Sequence, residues 1–291
     1  MIDLDMSVRK HWKKRLRLAF SRFLVVGGRL AGTCGLLEDH PKRPVFVLGS
    51  PRSGTSIFNK MLSQHPQIAN FSEALQVWEP KDRNLQMDHL KTRSDVTARD
   101  ADRITYAFGL YQKMKNRPVF VNKCPRSSVR IEFIHEIFPQ AKFIHIIRDG
   151  RAVVNSLIDI INREDFRKKR PLGGFCKPPN WKALTKLPPV ERHAHQWVQI
   201  MEEIIQRRQI VSDNNWFDLK YEGLCANPSQ QIEEVFEFIG LPVSEQYIRS
   251  VSAMPHSVNW KWRGRFKPHE IRTMNSIMGG VLSHYSYEVD I

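Results

Sequence analysis

The chain alternates short apolar runs with longer amphipathic stretches. Val45 to Leu48 is apolar throughout and stops at Gly49, and Lys142 to Ile147 and Trp216 to Glu222 read as further strands. Val119 to Val121 leads to Asn122-Lys123 and a proline stop at Pro125, and a shorter extended piece follows the His65-Pro66 turn and ends before Glu73. Such runs are buried strands of a parallel sheet. Between them the period changes. Ile57, Phe58, Met61 and Leu62 fall at helical spacing within Thr55 to Ser63, as do Ile131, Ile134 and Phe138 within Ser128 to Phe138. Glu191 to Val211 carries Trp197, Ile200, Met201, Ile204 and Ile205 on one side, and a helix starting at Asn227-Pro228 carries Ile232, Val235, Phe236 and Ile239 before Gly240 ends it. A further helix is expected around 96 to 115. Strand, helix, strand in this order implies parallel crossovers. The expected fold class is α/β, a P-loop-like central parallel sheet flanked by helices in three layers.

The first strand runs straight into Gly49-Ser-Pro-Arg-Ser-Gly54-Thr-Ser56. A glycine-bounded loop between a strand and a helix start gathers backbone N–H groups and the positive end of a helix dipole, which suits a phosphate. In the Walker A pattern a lysine and a hydroxyl residue follow the second glycine. Here Thr55 and Ser56 follow Gly54, and the cation sits inside the loop as Arg52. That disfavours a magnesium-dependent nucleoside triphosphatase. Taken by itself, the loop is also compatible with an ordinary glycine turn. Lys123 and Arg148, each at the carboxyl end of a strand, lie where open parallel sheets bind ligands, and Arg148-Asp-Gly-Arg151 with Ser156 offers guanidinium and hydroxyl donors that suit a phosphate monoester.

The segment before the first strand differs. Arg9, Lys10, Lys13, Lys14, Arg15 and Arg17 precede an apolar stretch that Arg22 and Arg29 interrupt and four glycines weaken as a helix. Neither a transmembrane helix nor a signal peptide is expected. Residues 1–37 are read as a basic segment, either amphipathic and resting on an anionic membrane or packed on the body of the domain, and residues 38–291 as a single domain. Residues 80–117 are polar and carry no chemical signature, so they are expected to cap a substrate site. Residues 163–190, rich in Lys, Arg, Pro and Gly, read as a long basic loop.

Composition changes the picture in one respect. With 45 Lys and Arg against 30 Asp and Glu the net charge is +15, which points to anionic partners of some kind. The 41% hydrophobic content is that of a globular protein. Cys34, Cys124, Cys176 and Cys225 are scattered, so neither a disulfide framework nor a zinc site is expected, and a reducing, cytoplasmic setting is the default.

Pro51-Arg-Ser-Gly-Thr-Ser56 resembles the 5′-phosphosulfate loop of sulfotransferases that use 3′-phosphoadenosine-5′-phosphosulfate (PAPS), and Lys142 to Ser156 resembles their 3′-phosphate signature. The resemblance implies that Arg52, Ser53, Gly54, Thr55 and Ser56 hold the 5′-phosphate end and that Arg148 and Ser156 hold the 3′-phosphate. The separation of Arg52 from Glu73 matches that between loop arginine and catalytic glutamate in the tyrosylprotein sulfotransferases, which implies Glu73 as general base. The Asn122-Lys123-x-Pro125 string is similar to the segment whose lysine stabilises the transferring group, and Leu219-Lys-Tyr221-Glu to the segment whose tyrosine contacts the nucleotide. By the same resemblance Ser257 joins the active site and Lys261 closes over the cofactor. No metal is expected. The partners implied are a nucleotide sulfate donor and a hydroxyl acceptor on a glycan, glycolipid, tyrosine or small molecule, with membrane contact and a homodimer left open and no nucleic acid. Two rivals stay in view: a P-loop-type kinase, against which the missing Walker lysine counts, and a basic nucleic-acid-binding protein, for which no motif accompanies the charge.

Overall fold

The structure is a computed structural model of the chain, and it describes residues 2–35, 41–79, 87–161, 172, 175–255 and 259–289. Five parallel strands form one sheet in the order β2-β3-β1-β4-β5: β1 (Val45–Leu48), β2 (Ile68–Ser72), β3 (Val119–Lys123), β4 (Lys142–Ile147) and β5 (Trp216–Lys220). Val45 pairs with Val121 on one side and Lys142 on the other, so β1 is the central strand.

The sheet is buried on both faces because successive side chains point opposite ways. Phe46, Leu48, Phe71, Phe120, Phe143 and Ile147 join one apolar cluster. Val45, Val47, Ile68, Val121, Ile144 and Ile146 join the other. On the first face lie α3 (Leu75–Trp78), α4 (Ala98–Lys115), α5 (Ile131–Ile137), α6 (Gly150–Ile161), α8 (Pro189–Arg208) and α12 (Pro268–His284); α2 (Thr55–Ser63), α9 (Tyr221–Ala226), α10 (Pro228–Ile239) and α11 (Glu245–Ser252) cover the second. This is the expected three-layer α/β arrangement. The short helix α7 (Trp181–Leu184) lies in the region read as a basic loop, the first part of which falls outside the described residues.

Three elements depart from the sequence reading for identifiable reasons. The helix expected from Ser128 begins only at Ile131, because Pro125 opens a 3₁₀ turn (Pro125–Val129) and the Ser128 hydroxyl is committed to the backbone of Gly49. Helix α8 starts earlier than expected, at Pro189, where a missing N–H costs nothing in a first turn. In the N-terminal segment, α1 (Ile2–Thr33) is an unbroken helix despite its glycines. Those glycines are used in packing: a Cβ at Gly28 would lie 2.7 Å from the Tyr106 carbonyl oxygen, and one at Gly32 would lie 2.5 Å from the Tyr106 ring. Close approach of α1 to α4 therefore offsets the helical cost of glycine, about 1 kcal/mol each.

All four cysteines are free. Cys124 and Cys176 are buried, and burial pushes both thiols up, that of Cys176 to about 12. At neutral pH neither is a nucleophile.

One buried ionic cluster ties the end of α3 to the segment after β3. Glu79 accepts from both Arg126 and Arg130, and Arg103 closes α3 by donating to the carbonyls of Val77 (2.9 Å) and Trp78 (3.1 Å). Arg130 is buried. Removing the carboxylate leaves a buried cation uncompensated, so Glu79→Ala is expected to lower unfolding stability by about 3–5 kcal/mol, read from urea denaturation. A loss below about 1 kcal/mol would show that the cluster is solvated instead.

Candidate active site

Every strand contributes to one edge of the sheet. Gly49 follows β1, Glu73 follows β2, Lys123 ends β3, Arg148 follows β4 and Tyr221 follows β5. Because all five strands are parallel, these positions fall on the same carboxyl edge, the place where open α/β sheets receive ligands.

The loop after β1 takes a conformation that few residues accept. Gly49 (φ 145°), Arg52 (φ 72°) and Gly54 (φ 93°) all have positive φ, and Arg52 is the one with a side chain. Gly54 must be glycine on two counts, since a Cβ there would also lie 2.3 Å from the Tyr221 ring. Ser128 braces the loop's start: the Gly49 N–H donates to the Ser128 hydroxyl, which donates back to the Gly49 carbonyl, each at 2.9 Å. The Ser50 and Ser53 hydroxyls bond each other at 2.6 Å. Helix α2 then opens at Thr55, and the first intrahelical bond goes from Phe58 N–H to the Gly54 carbonyl. The N–H groups of Thr55 to Ile57 thus lack intrahelical acceptors, and the first turn contains no acidic residue.

The second signature is built against the first. The Arg148 Nη1 donates to the Arg52 carbonyl at 2.8 Å, and the Arg52 Nε donates to the Ser156 hydroxyl, on α6, at 3.0 Å. Arg148 stacks over the Tyr221 ring, 4.8 Å from its centre, and its Nε donates to Asn259 Oδ1 at 2.9 Å. Asn259 in turn donates to Glu222, which accepts the Asp149 N–H at 3.0 Å and the Tyr287 hydroxyl at 2.8 Å. Burial and the Glu222 carboxylate push the Tyr287 phenol up, so it stays a donor.

A second charged group sits across β2 and β3. The Glu73 N–H donates to the Lys123 carbonyl (2.8 Å), and the Lys123 Nζ lies 2.9 Å from Glu73 Oε1. Lys123 is buried, while the Glu73 carboxylate is about half exposed. Glu73 has φ 54°, a left-handed conformation uncommon for glutamate, and its two links to Lys123 hold it there.

On the face of the sheet that α3 and α4 cover, a cleft of about 970 Å³ lies between α1, the 87–91 segment and the first turns of α4, with Trp78, Glu79 and Arg130 among its lining. Segment 80–117, expected to cap a substrate site, thus supplies one wall of the cleft through its described residues.

The sequence model described as "Sulfotransferase family" matches residues 44–245, more than half of the chain and all of the sheet. The chain belongs to the sulfotransferase family. It is 25% identical over 215 residues to protein-tyrosine sulfotransferase A of Caenorhabditis elegans, covering 70% of this chain and 51% of the worm protein. It is 28% identical over 134 residues to an omega-hydroxy-beta-dihydromenaquinone-9 sulfotransferase of Mycobacterium bovis, covering 46% and 32% of the two chains. The chain spans about half the length of the curated relatives first in similarity. Among solved structures, sulfotransferase STF9 from Mycobacterium avium superposes with a TM-score of 0.59 at 15% identity, covering 93% of this chain and 84% of the other. The sulfotransferase domain of the curacin biosynthetic pathway gives 0.59 at 17% identity, covering 87% and 100%. These likenesses place the fold.

Within this member of the family most of the residues singled out from sequence converge. Arg52, Ser53, Gly54, Thr55, Ser56, Arg148, Ser156 and Tyr221 form one cluster, and Glu73 with Lys123 forms a pair on the same edge. Lys261 is exposed in a 3₁₀ turn (Asn259–Trp262), 6.0 Å from the centre of the Trp260 ring. Ser257 lies outside the described residues. Arg151, read with Arg148 as a phosphate fork, is instead spent on structure: it is buried, gives two parallel bonds to Asp149 at 3.0 Å and stacks on Trp262 at 4.5 Å. The residues that sequence reading missed are Ser128, Asn259, Glu222 and Tyr287. Each acts through a contact distant in sequence, and no local pattern announces it.

Gly54→Ala combines positive φ with a collision against a ring, and the loop must shift to admit it. The variant is expected to keep its helical circular dichroism and lose at least about tenfold in affinity for adenosine 3′,5′-bisphosphate by isothermal titration. Unchanged affinity would remove the loop from the binding site.

Proposed function

We propose that this sulfotransferase transfers the sulfuryl group of PAPS to the hydroxyl of an acceptor. One observation carries the reading: the Arg148 to Arg52 bond joins the two sequence signatures into a single cationic cradle on the carboxyl edge of the sheet. The donor set suits a nucleotide phosphorylated at both ends. First-turn amides of α2 supply one group of donors, and Arg148, Ser156 and the Tyr221 ring supply a second, with Arg52 bridging to it through its bond to Ser156. The relatives named for protein tyrosine and for a hydroxylated menaquinone support a hydroxyl acceptor.

The amides of Gly54 to Ser56 hold the 5′-phosphate, the Ser53 N–H being taken by the Ser50 carbonyl at 3.2 Å, and Arg148 with Ser156 holds the 3′-phosphate. Glu73, reachable from solvent and fixed by Lys123, takes the proton of the acceptor hydroxyl as general base. The acceptor oxygen forms the new O–S bond as the S–O bond to the 5′-phosphate breaks, leaving adenosine 3′,5′-bisphosphate and a sulfate ester. Arg52 and Lys123 face the negative charge that develops on the departing oxygen, a role for which preorganised cations are worth a few kcal/mol. The ion pair also limits Glu73 to one region of space, and placing a base correctly is part of its effect. The acceptor enters through the cleft between α1 and α4, whose lining sets Trp78 beside basic (Lys91, Arg99) and acidic (Asp88, Asp95) side chains and so accommodates a polar or amphiphilic alcohol. A kinase reading has less support, because the chain has no lysine after Gly54.

Glu73→Ala should lower turnover of an accepted hydroxyl substrate by about 10²-fold or more, measured as sulfuryl incorporation by mass spectrometry. Its affinity for adenosine 3′,5′-bisphosphate should stay within about threefold of the parent, since the carboxylate is not part of the cradle. Parental turnover in Glu73→Ala would reject the base assignment; loss of nucleotide binding would mean that Glu73 serves the cradle instead.

A further inference from the structure

Helix α1 buries one face and leaves the other bare. Ser21, Leu24 and Gly28 face the body of the protein. On the opposite face Leu16, Phe23 and Leu30, seven residues apart, are 62%, 53% and 61% exposed, and Val26 beside them is 60% exposed. Phe20 continues this stripe and meets Tyr111 of α4 edge-on at 6.2 Å; one turn beyond Tyr111, Met114 is 52% exposed. Helical geometry sets residues i, i+7 and i+14 in a row, so Leu16, Phe23 and Leu30 form one ridge and Arg15, Arg22 and Arg29, each exposed, form the next. Isolated exposed apolar side chains are ordinary, but a ridge of them along about four turns is not.

Charge chooses the occupant. Residues 1–35 contain eight Lys and Arg against Asp3 and Asp5 alone, and no acidic residue occurs between 6 and 35. A second copy laid against this ridge would bring arginine rows together with no carboxylate from that stretch to neutralise them. An anionic lipid surface satisfies both rows at once, taking the apolar ridge below the headgroups and the arginines among them. No helix among the described residues is long and apolar enough to cross a membrane, so α1 would lie in the surface plane. We propose that α1 docks this protein on bilayers rich in anionic phospholipid, through the Leu16–Phe23–Leu30 ridge and its flanking arginines. The glycine-mediated seam with α4 fixes α1 to the catalytic domain, so docking orients that domain and the cleft beside Arg29.

Flotation of the full chain with phosphatidylcholine vesicles, with and without about one third phosphatidylglycerol, tests this directly. The parent should float with the anionic vesicles only, and added salt should weaken the association. Phe23→Ser with Leu30→Ser, and separately Arg15→Glu with Arg22→Glu, should each reduce the bound fraction by about tenfold or more. Circular dichroism and adenosine 3′,5′-bisphosphate affinity serve as folding controls, since these side chains lie on the outer face of α1 and away from the cradle. Absence of flotation by the parent, or flotation undiminished in both folded variants, would overturn the proposal. So would a stable dimer in light scattering that the Phe23→Ser with Leu30→Ser variant converts to monomer, because the ridge would then be covered by a second copy.

Discussion

The structure turns on how a backbone with three positive φ values in six residues is kept in place. Gly49, Arg52 and Gly54 give the loop after β1 the tight path that points amides inward, and such a path is stable only if its surroundings hold it. Ser128 fixes its first residue, and the Arg148 guanidinium fixes its middle through the Arg52 carbonyl. The Tyr221 ring closes the space beside Gly54. Three other strands thus supply the parts that shape the loop of the first, and this requires parallel strands whose ends meet at one edge.

That edge also explains the separation of tasks. Arg148, Tyr221, Asn259 and Glu222 form a network on the β4 and β5 side, where donors and acceptors are matched and the charge is largely enclosed. Glu73 and Lys123 form a pair on the β2 and β3 side, with the lysine buried and the carboxylate open to solvent. Under the proposed function, a binding site profits from enclosure and a proton acceptor from access, and the strand order β2-β3-β1-β4-β5 puts the glycine-bounded loop between the two.

The sheet and its helices were legible because apolar runs of four to six residues and helical periods are local signals, and here tertiary packing agrees with them. The two signatures were legible for the same reason: Pro51 to Ser56 and Lys142 to Ser156 are contiguous strings. What was not legible is long range. The role of Arg151 depends on Asp149 standing in the right rotamer and Trp262 arriving from over a hundred residues away. Ser128 looked like a helix start until its hydroxyl was seen against Gly49, and the glycines of α1 looked like helix breakers until Tyr106 was seen filling the space they leave. In each case a residue's local preference yields to a partner that only the fold supplies.

The central claim is that one cationic cradle, built from both sequence signatures, grips the two phosphorylated ends of one nucleotide. A crystal structure with adenosine 3′,5′-bisphosphate tests it most directly. The account predicts the 5′-phosphate on the amides of Gly54 to Ser56 and the 3′-phosphate within hydrogen-bond reach of Arg148 and Ser156. Nucleotide bound elsewhere, or held by the loop with its 3′-phosphate turned away from Arg148, would contradict it.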